Sequence, residues 1–149
     1  MEAVIFIGLQ AAGKSTFCLR RFFRTHVRIN MDMLGTKHRE RLLLDACLAG
    51  KQAFVIDKVN AAATDRATYI RLAKAAGFHV VGYYFQSKLD DCLARNAARP
   101  ETERVPDMAI LGTYKRLQLP SLTEGFDRLY YVRTTTGEFV VEEWRDEVR

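Results

Sequence analysis

Four short runs of apolar residues, Ala3–Ile7, Phe54–Ile56, His79–Phe85 and Leu129–Val132, are rich in β-branched and aromatic side chains, and polar segments with helical spacing separate them. That pattern predicts alternating strands and helices. Because the strands are apolar without a break, both of their faces must be covered, which implies a parallel sheet flanked by helices. His26 to Ile29 is a candidate further strand. The spacing predicts helices over Lys14–Phe23, Lys37–Ala49, Thr64–Ala76, Lys88–Ala98 and Asp107–Leu117. Gly50 and Gly77 suit left-handed C-caps, Thr64 and Ser87 suit N-caps, and Pro100 and Pro120 stop a helix just beyond its end. The tail from Thr134 reads as a hairpin edge followed by a short helix holding Trp144.

Composition narrows this to one α/β domain over residues 1–149. The chain is 48% hydrophobic with nine glycines and three prolines, too apolar for a disordered tail and too poor in glycine for a collagen-like array. Cys18, Cys47 and Cys92 are odd in number and contain no C-x-x-C pair, so they read as reduced, buried thiols rather than a disulfide framework or a zinc site. The apolar start is too short and lacks the basic flank of a signal peptide, and no window suits a membrane span, so a cytoplasmic protein is expected. The net charge of +5 is unevenly distributed. Between Lys14 and Arg41 there are eight basic residues and two acidic ones, which reads either as solvated helix faces or as a polyanion-binding rim.

Gly8-Leu9-Gln10-Ala11-Ala12-Gly13-Lys14-Ser15 fits G-x-x-x-x-G-K-[ST], directly after one predicted strand and directly before a helix. That context is the one the P-loop requires. The two glycines let successive amides turn inward, and the helix N-terminus adds positive dipole toward bound phosphates. Lys14 is then the mobile cation for the β- and γ-phosphates, and Ser15 offers a hydroxyl to Mg²⁺.

Asp57 ends the second buried strand, where it could hold the metal from the sheet's carboxyl edge or simply cap the next turn. Asp32 follows another strand end and is the candidate general base toward an acceptor hydroxyl; its alternative role is an Asx-turn or the cap of the helix starting near Thr36. Arg95 and Arg99 share a helix face leading into a charge-dense segment, giving a helical lid over roughly residues 95–107. Their guanidinium groups either neutralise charge on the transferred phosphoryl group or are merely solvated. His26, His38 and His79 are scattered without a ligand pattern, and Tyr83-Tyr84-Phe85 reads as strand core rather than a base-stacking platform.

With these residues in view, the sequence resembles the P-loop kinase domain of the polynucleotide 5'-kinases, small AAA-like kinases found in bifunctional kinase/3'-phosphatases. Beyond Gly8 to Thr16, the likeness includes Asn30 to Gly35, Gly50 to Asp57 with Asn60, Arg66 to Ile70, Arg95-Asn96 with Arg99, and Glu124 to Phe126. It spans roughly residues 3 to 133. The resemblance implies a P-loop NTPase fold in which Gly8, Gln10, Ala11, Ala12, Gly13, Lys14, Ser15 and Thr16 bind ATP. It implies that Asp32 activates a 5'-hydroxyl, that Arg39 approaches the acceptor phosphate, and that a lid arginine reaches the donor. Lys58 and Asn60 fall where the acceptor is held. The chain departs from the pattern at Met31, where arginine is common, and at Lys58-Val59, in place of Asn-Thr.

The favoured reading is an ATP- and Mg²⁺-dependent kinase of DNA or RNA 5'-hydroxyl ends. A small hydroxylated acceptor such as a nucleoside, sugar or antibiotic is the second. The third is a nucleotide-dependent switch partnering a separate repair or ligase protein; Asp32 argues against it, since a switch needs no carboxylate at the acceptor edge. No N-K-x-D element for guanine is present, which favours ATP.

Overall fold

A computed structural model describes residues 1–146. Its six strands are β1 (Glu2–Ile7), β2 (Val27–Ile29), β3 (Phe54–Ile56), β4 (His79–Phe85), β5 (Arg128–Thr135) and β6 (Glu138–Glu143). They form one sheet in the order β2-β3-β1-β4-β5-β6, parallel through β5, with β6 antiparallel at the edge. The alternation of side chains sorts the core. Ala3, Ile5 and Ile7 face α3 (Lys37–Ala49) and α4 (Ala63–Ala75), while Val4 and Phe6 face α1 (Lys14–Arg21), α5 (Leu89–Ala98) and α6 (Asp107–Arg116). A P-loop NTPase sheet flanked by helices is thus in place, and the segment expected as a lid, roughly residues 95–107, comprises the end of α5, a turn-rich stretch over 99–106 and the start of α6.

All three cysteines are free and buried. Tyr83, Tyr84 and Phe85 are core residues, and the ring of Phe6 packs edge-on against those of Tyr83 and Phe85. Several local expectations are corrected. Gly50 sits in right-handed conformation and Lys51 takes the positive φ of 54° instead. Thr64 lies inside α4, whose N-cap is Ala62, and Ser87 precedes the N-cap of α5 because its hydroxyl is committed to the P-loop. Trp144 is not helical: its amide donates to the carbonyl of Leu129, prolonging the hairpin pairing, and its indole packs against Tyr84. The rest of the predicted tail, residues 147–149, lies outside the described residues.

One buried ion pair braces the α4 face. Arg66 is fully buried; its Nε donates to Glu124 Oε1 at 2.8 Å, and Nη1 reaches the carbonyls of Asn60, Ala61 and Gln118. Arg66→Ala strands the Glu124 carboxylate and three carbonyls, so a loss of about 3 kcal/mol is expected in urea unfolding. An unchanged midpoint would refute this bracing role.

Candidate active site

The P-loop is fixed from both neighbouring strands. The amide of Gly8 donates to Val59 O at 3.0 Å, and that of Leu9 to Ser87 Oγ at 3.0 Å. Gly8 sits close against β4: a Cβ there would stand 3.0 Å from Phe85 Cβ and 3.2 Å from its carbonyl, tighter than ordinary van der Waals contact. Gly13 caps α1 at φ 98°, a conformation that L side chains avoid. The amides of Lys14, Ser15 and Thr16 precede the first i→i−4 bond of the helix, from Phe17 N to Gly13 O, and so remain available to an anion.

Lys14 is buried and folded back on its own loop, Nζ donating to the carbonyls of Gly8 at 2.8 Å and Leu9 at 2.6 Å. Burial lowers its pKa to about 8; the Asp57 carboxylate opposes that drop and the Arg99 guanidinium adds to it. The lysine is therefore a cation short of countercharge, and phosphate oxygens would supply it.

Asp57, only 2% exposed, caps no turn. Its Oδ2 accepts from Ser15 Oγ at 3.1 Å and from Arg28 Nε at 2.8 Å, and Arg28 Nη2 also donates to Ser15 Oγ at 3.0 Å. The hydroxyl and carboxylate fit a hard cation that draws its other ligands from phosphate and water. No cluster of three or more His, Cys, Asp or Glu side chains suited to a metal exists among the described residues, so an ion here would complete its ligands from phosphate and water.

Asp32 lines the same cavity as the P-loop. It lies in α2 (Met31–Leu34), a single turn that the sequence pattern did not predict. Asn30 makes that turn: its side-chain oxygen caps Met33 N at 3.0 Å, while its amide donates to Asp57 O at 2.8 Å, tying the ends of β2 and β3 together. Asp32 does not cap the helix starting near Thr36, which Thr36 itself caps, and the turn before it is made by Asn30. Its carboxylate is exposed, and among the described residues it has no hydrogen bond or ion pair.

The cavity between these groups holds about 360 Å³ and is lined by the P-loop, α2, the end of β3 and the lid. It brings together Gln10, Ala11, Lys14, Ser15, Asp32, Asp57, Lys58 and Arg99 of the predicted residues. Gly8, Ala12, Gly13 and Thr16 shape the loop without lining it.

Of the acceptor and lid residues, Lys58 lines the cavity with Arg99, whereas Asn60, Arg39 and Arg95 lie outside its lining. Asn60 is 3% exposed, with φ 44°, and its amide donates to Phe6 O at 2.7 Å; it holds the strand end and does not reach the cavity. Arg39 donates to the carbonyl of Leu34 at 3.1 Å, bracing α2 from outside the cavity wall. Lys58 lines the cavity, but its ammonium is engaged, donating to Tyr69 Oη at 2.8 Å and lying 3.3 Å from Glu40. Tyr69 in turn donates to Glu40, and burial, reinforced by that hydrogen bond, drives its pKa up. Of the two lid arginines only Arg99 lines the cavity; Arg95, one turn earlier, does not.

The basic surplus near the N-terminus is not one rim. Arg28 enters the site, Arg41 pairs with Asp45, and Arg20 donates to Gly137 O on the far hairpin. Arg21 lines a separate groove with Glu2, His79 and Arg128 at the opposite edge of the sheet. The cause is α1 itself, which starts at the phosphate loop and carries its last turn away from it.

Arg28, Ser87 and Asn96 are the residues that sequence reasoning missed. Asn96, 1% exposed, closes the base of the lid through Nδ2 to Val105 O at 2.7 Å and Val105 N to Oδ1 at 3.0 Å, which sets Arg99 and Glu103 over the cavity. A charged residue inside the predicted strand His26–Ile29 was the available signal for Arg28.

Sheet order, P-loop, edge carboxylates and lid define a P-loop kinase-type domain, and comparison with known proteins gives its family. The AAA domain family AAA_33 matches residues 4–120, and the chain belongs to it. It is 26% identical over 129 residues to the bifunctional polynucleotide phosphatase/kinase of Schizosaccharomyces pombe, covering 84% of this chain and 32% of that protein. The chain thus spans about a third of that relative's length. Among solved structures it is similar in fold to Chaetomium thermophilum Kti12 in complex with ADP-AlF3 (TM-score 0.64, 15% identity, 88% of each chain). A gluconokinase from Sinorhizobium meliloti is a further fold neighbour (TM-score 0.60, 15% identity, 89% of this chain and 82% of that one). No described helix is long and apolar enough to cross a membrane.

Proposed function

We propose that the chain is an ATP-dependent kinase that moves the γ-phosphate to the 5'-hydroxyl end of DNA or RNA, with Asp32 as general base. The observation carrying this reading is the unpaired Asp32 carboxylate, which lines one cavity together with the P-loop lysine. A nucleotide switch has no use for such a group, whereas transfer to an alcohol requires a proton acceptor beside the attacking oxygen. The likeness to the S. pombe phosphatase/kinase favours a polynucleotide acceptor.

The P-loop amides and Lys14 grip the triphosphate and hold its γ-phosphorus toward Asp32, which takes the hydroxyl proton as the oxygen attacks and ADP departs. Arg99, carried by the lid, approaches the transferred group and offsets its developing charge. When bound, Mg²⁺ at Ser15 and Asp57 would neutralise donor oxygens. Pro106 and the Asn96 clamp restrict the lid's lower end, so the lid closes about a fixed base.

The wall formed by Lys58 and Val59 favours a second reading, a small hydroxylated acceptor. The Lys58 ammonium already has Glu40 and Tyr69 as partners, so it is not free to track a phosphate backbone. Transfer of labelled γ-phosphate to 5'-hydroxyl DNA, 5'-hydroxyl RNA, nucleosides and sugar acids separates the two. Preferred labelling of either oligonucleotide supports the polynucleotide reading. Labelling of small acceptors alone overturns it, and no transfer to any acceptor returns the question to a nucleotide switch.

A further inference from the structure

The guanidinium of Arg28 occupies the two protein oxygens that a divalent ion would use. Nε lies 2.8 Å from Asp57 Oδ2 and Nη2 lies 3.0 Å from Ser15 Oγ, the two-pronged geometry that arginine alone among the side chains presents. Its position follows from the strand register. Arg28 pairs with Val55 in β2–β3, which turns its side chain to the α1 face beneath the start of that helix. Asp57 is nearly sealed from water, while the Arg28 side chain is 36% exposed, so the arginine has room to leave and the carboxylate does not.

We propose that Arg28 is a positioning residue that rivals the divalent ion: it holds Asp57 and Ser15 and must swing off before the ion engages them. This rests on reading Ser15 and Asp57 as the ion's protein ligands. An ion arriving alone meets Arg28 and the nearby Lys14, two positive groups already drawn to one carboxylate. An ion carried by a nucleotide brings phosphate charge that satisfies Lys14, and only then is the exchange at Asp57 favourable. The device makes metal loading conditional on the triphosphate, and it keeps a buried carboxylate paired in the interval.

The test uses Mn²⁺ as the probe, read by the loss of its free-ion electron paramagnetic resonance signal on titration with nucleotide-free protein. Arg28→Gln is expected to bind Mn²⁺ at least about tenfold more tightly than the wild type, the gain left after solvent screening of one removed charge. Arg28→Lys, which keeps the charge without the fork, should fall between them, and adding Asp57→Asn to Arg28→Gln should abolish the gain. Unchanged or weaker Mn²⁺ binding by Arg28→Gln overturns the proposal. Should that variant fail to fold, the wild type decides the matter through the Arg28 Nε–H resonance. It is expected to shift on adding ADP with Mg²⁺ but not ADP with chelator, and a resonance that ignores the metal overturns the idea. Neither readout involves an acceptor, so failure here leaves the kinase reading standing, and failure of phosphate transfer leaves this exchange standing.

Discussion

Asp32→Ala is expected to slow phosphoryl transfer by about 10³-fold while leaving nucleotide affinity within about twofold, because the residue acts on the acceptor proton and not on the donor. The prediction draws on the difference between the site's two carboxylates. Asp57 is buried and held by Ser15 and Arg28, whereas Asp32 is exposed, without a partner among the described residues, and presented by a single helical turn. Since Asp32 makes no contact that packs the fold, the variant should unfold at the wild-type midpoint. Asp32→Asn preserves the shape and removes the basicity, so it should be as slow as alanine if proton transfer is the role. An acceptor whose hydroxyl is already acidic should lose less than an ordinary alcohol, following Brønsted behaviour. Single-turnover kinetics with saturating nucleotide measures this directly. Transfer within about threefold of wild type in both variants would remove Asp32 from the chemistry.

What the sequence made legible was whatever is encoded by neighbours along the chain. The strand–loop–helix around Gly8 to Ser15 carries its own geometry, and the apolar runs Phe54–Ile56 and His79–Phe85 admit only a doubly covered sheet. Residues whose role depends on a distant partner were not legible in the same way. Nothing local to Lys58 reveals that Glu40 and Tyr69, on two different helices, meet at its ammonium. Nothing local to Asn60 shows that its amide is spent on Phe6, on a strand 54 positions earlier. The single turn α2 escaped because four residues are too few for periodicity, and its cap, Asn30, was visible only as part of a strand ending. The tail was legible as a hairpin but not in the short helix expected around Trp144, because the pairing with β5 continues through its amide.

The two sides of the cavity therefore differ in how they are fixed. The donor side is rigid, since Gly8 and Leu9 are hydrogen-bonded to Val59 and Ser87 at the ends of neighbouring segments. The wall where the proposed kinase reading puts the acceptor depends on α2, anchored by Asn30 from within and by Arg39 from outside. A change in acceptor can be accommodated there without disturbing the phosphate cradle, and the departures at Met31, Lys58 and Val59 all lie on that wall.

Nucleotide affinity is expected to be flat between pH 6.5 and 7.5 and to weaken by up to about tenfold per pH unit above 8. Lys14 is the cause. Its ordinary value of 10.5 falls to about 8 through burial, so the unliganded protein loses this charge as the pH passes 8. For the fold alone the sign is favourable: between about 8 and 10.5 the folded state binds fewer protons than the unfolded chain, and stability rises with pH across that window. For binding it is unfavourable, because a triphosphate needs the ammonium, and above pH 8 the proton must be taken up with the ligand. Calorimetric titration in buffers of differing ionisation enthalpy reads that uptake as a fraction of a proton that grows from near zero at pH 7. Lys14→Met should weaken nucleotide binding by about 10²-fold or more, with no remaining pH dependence above 8, because the titrating group is gone. Lys14→Arg keeps its charge throughout, so whatever affinity it retains should also be independent of pH across this window. Wild-type affinity that holds constant from pH 7 to 9.5 would mean that another cation grips the phosphates.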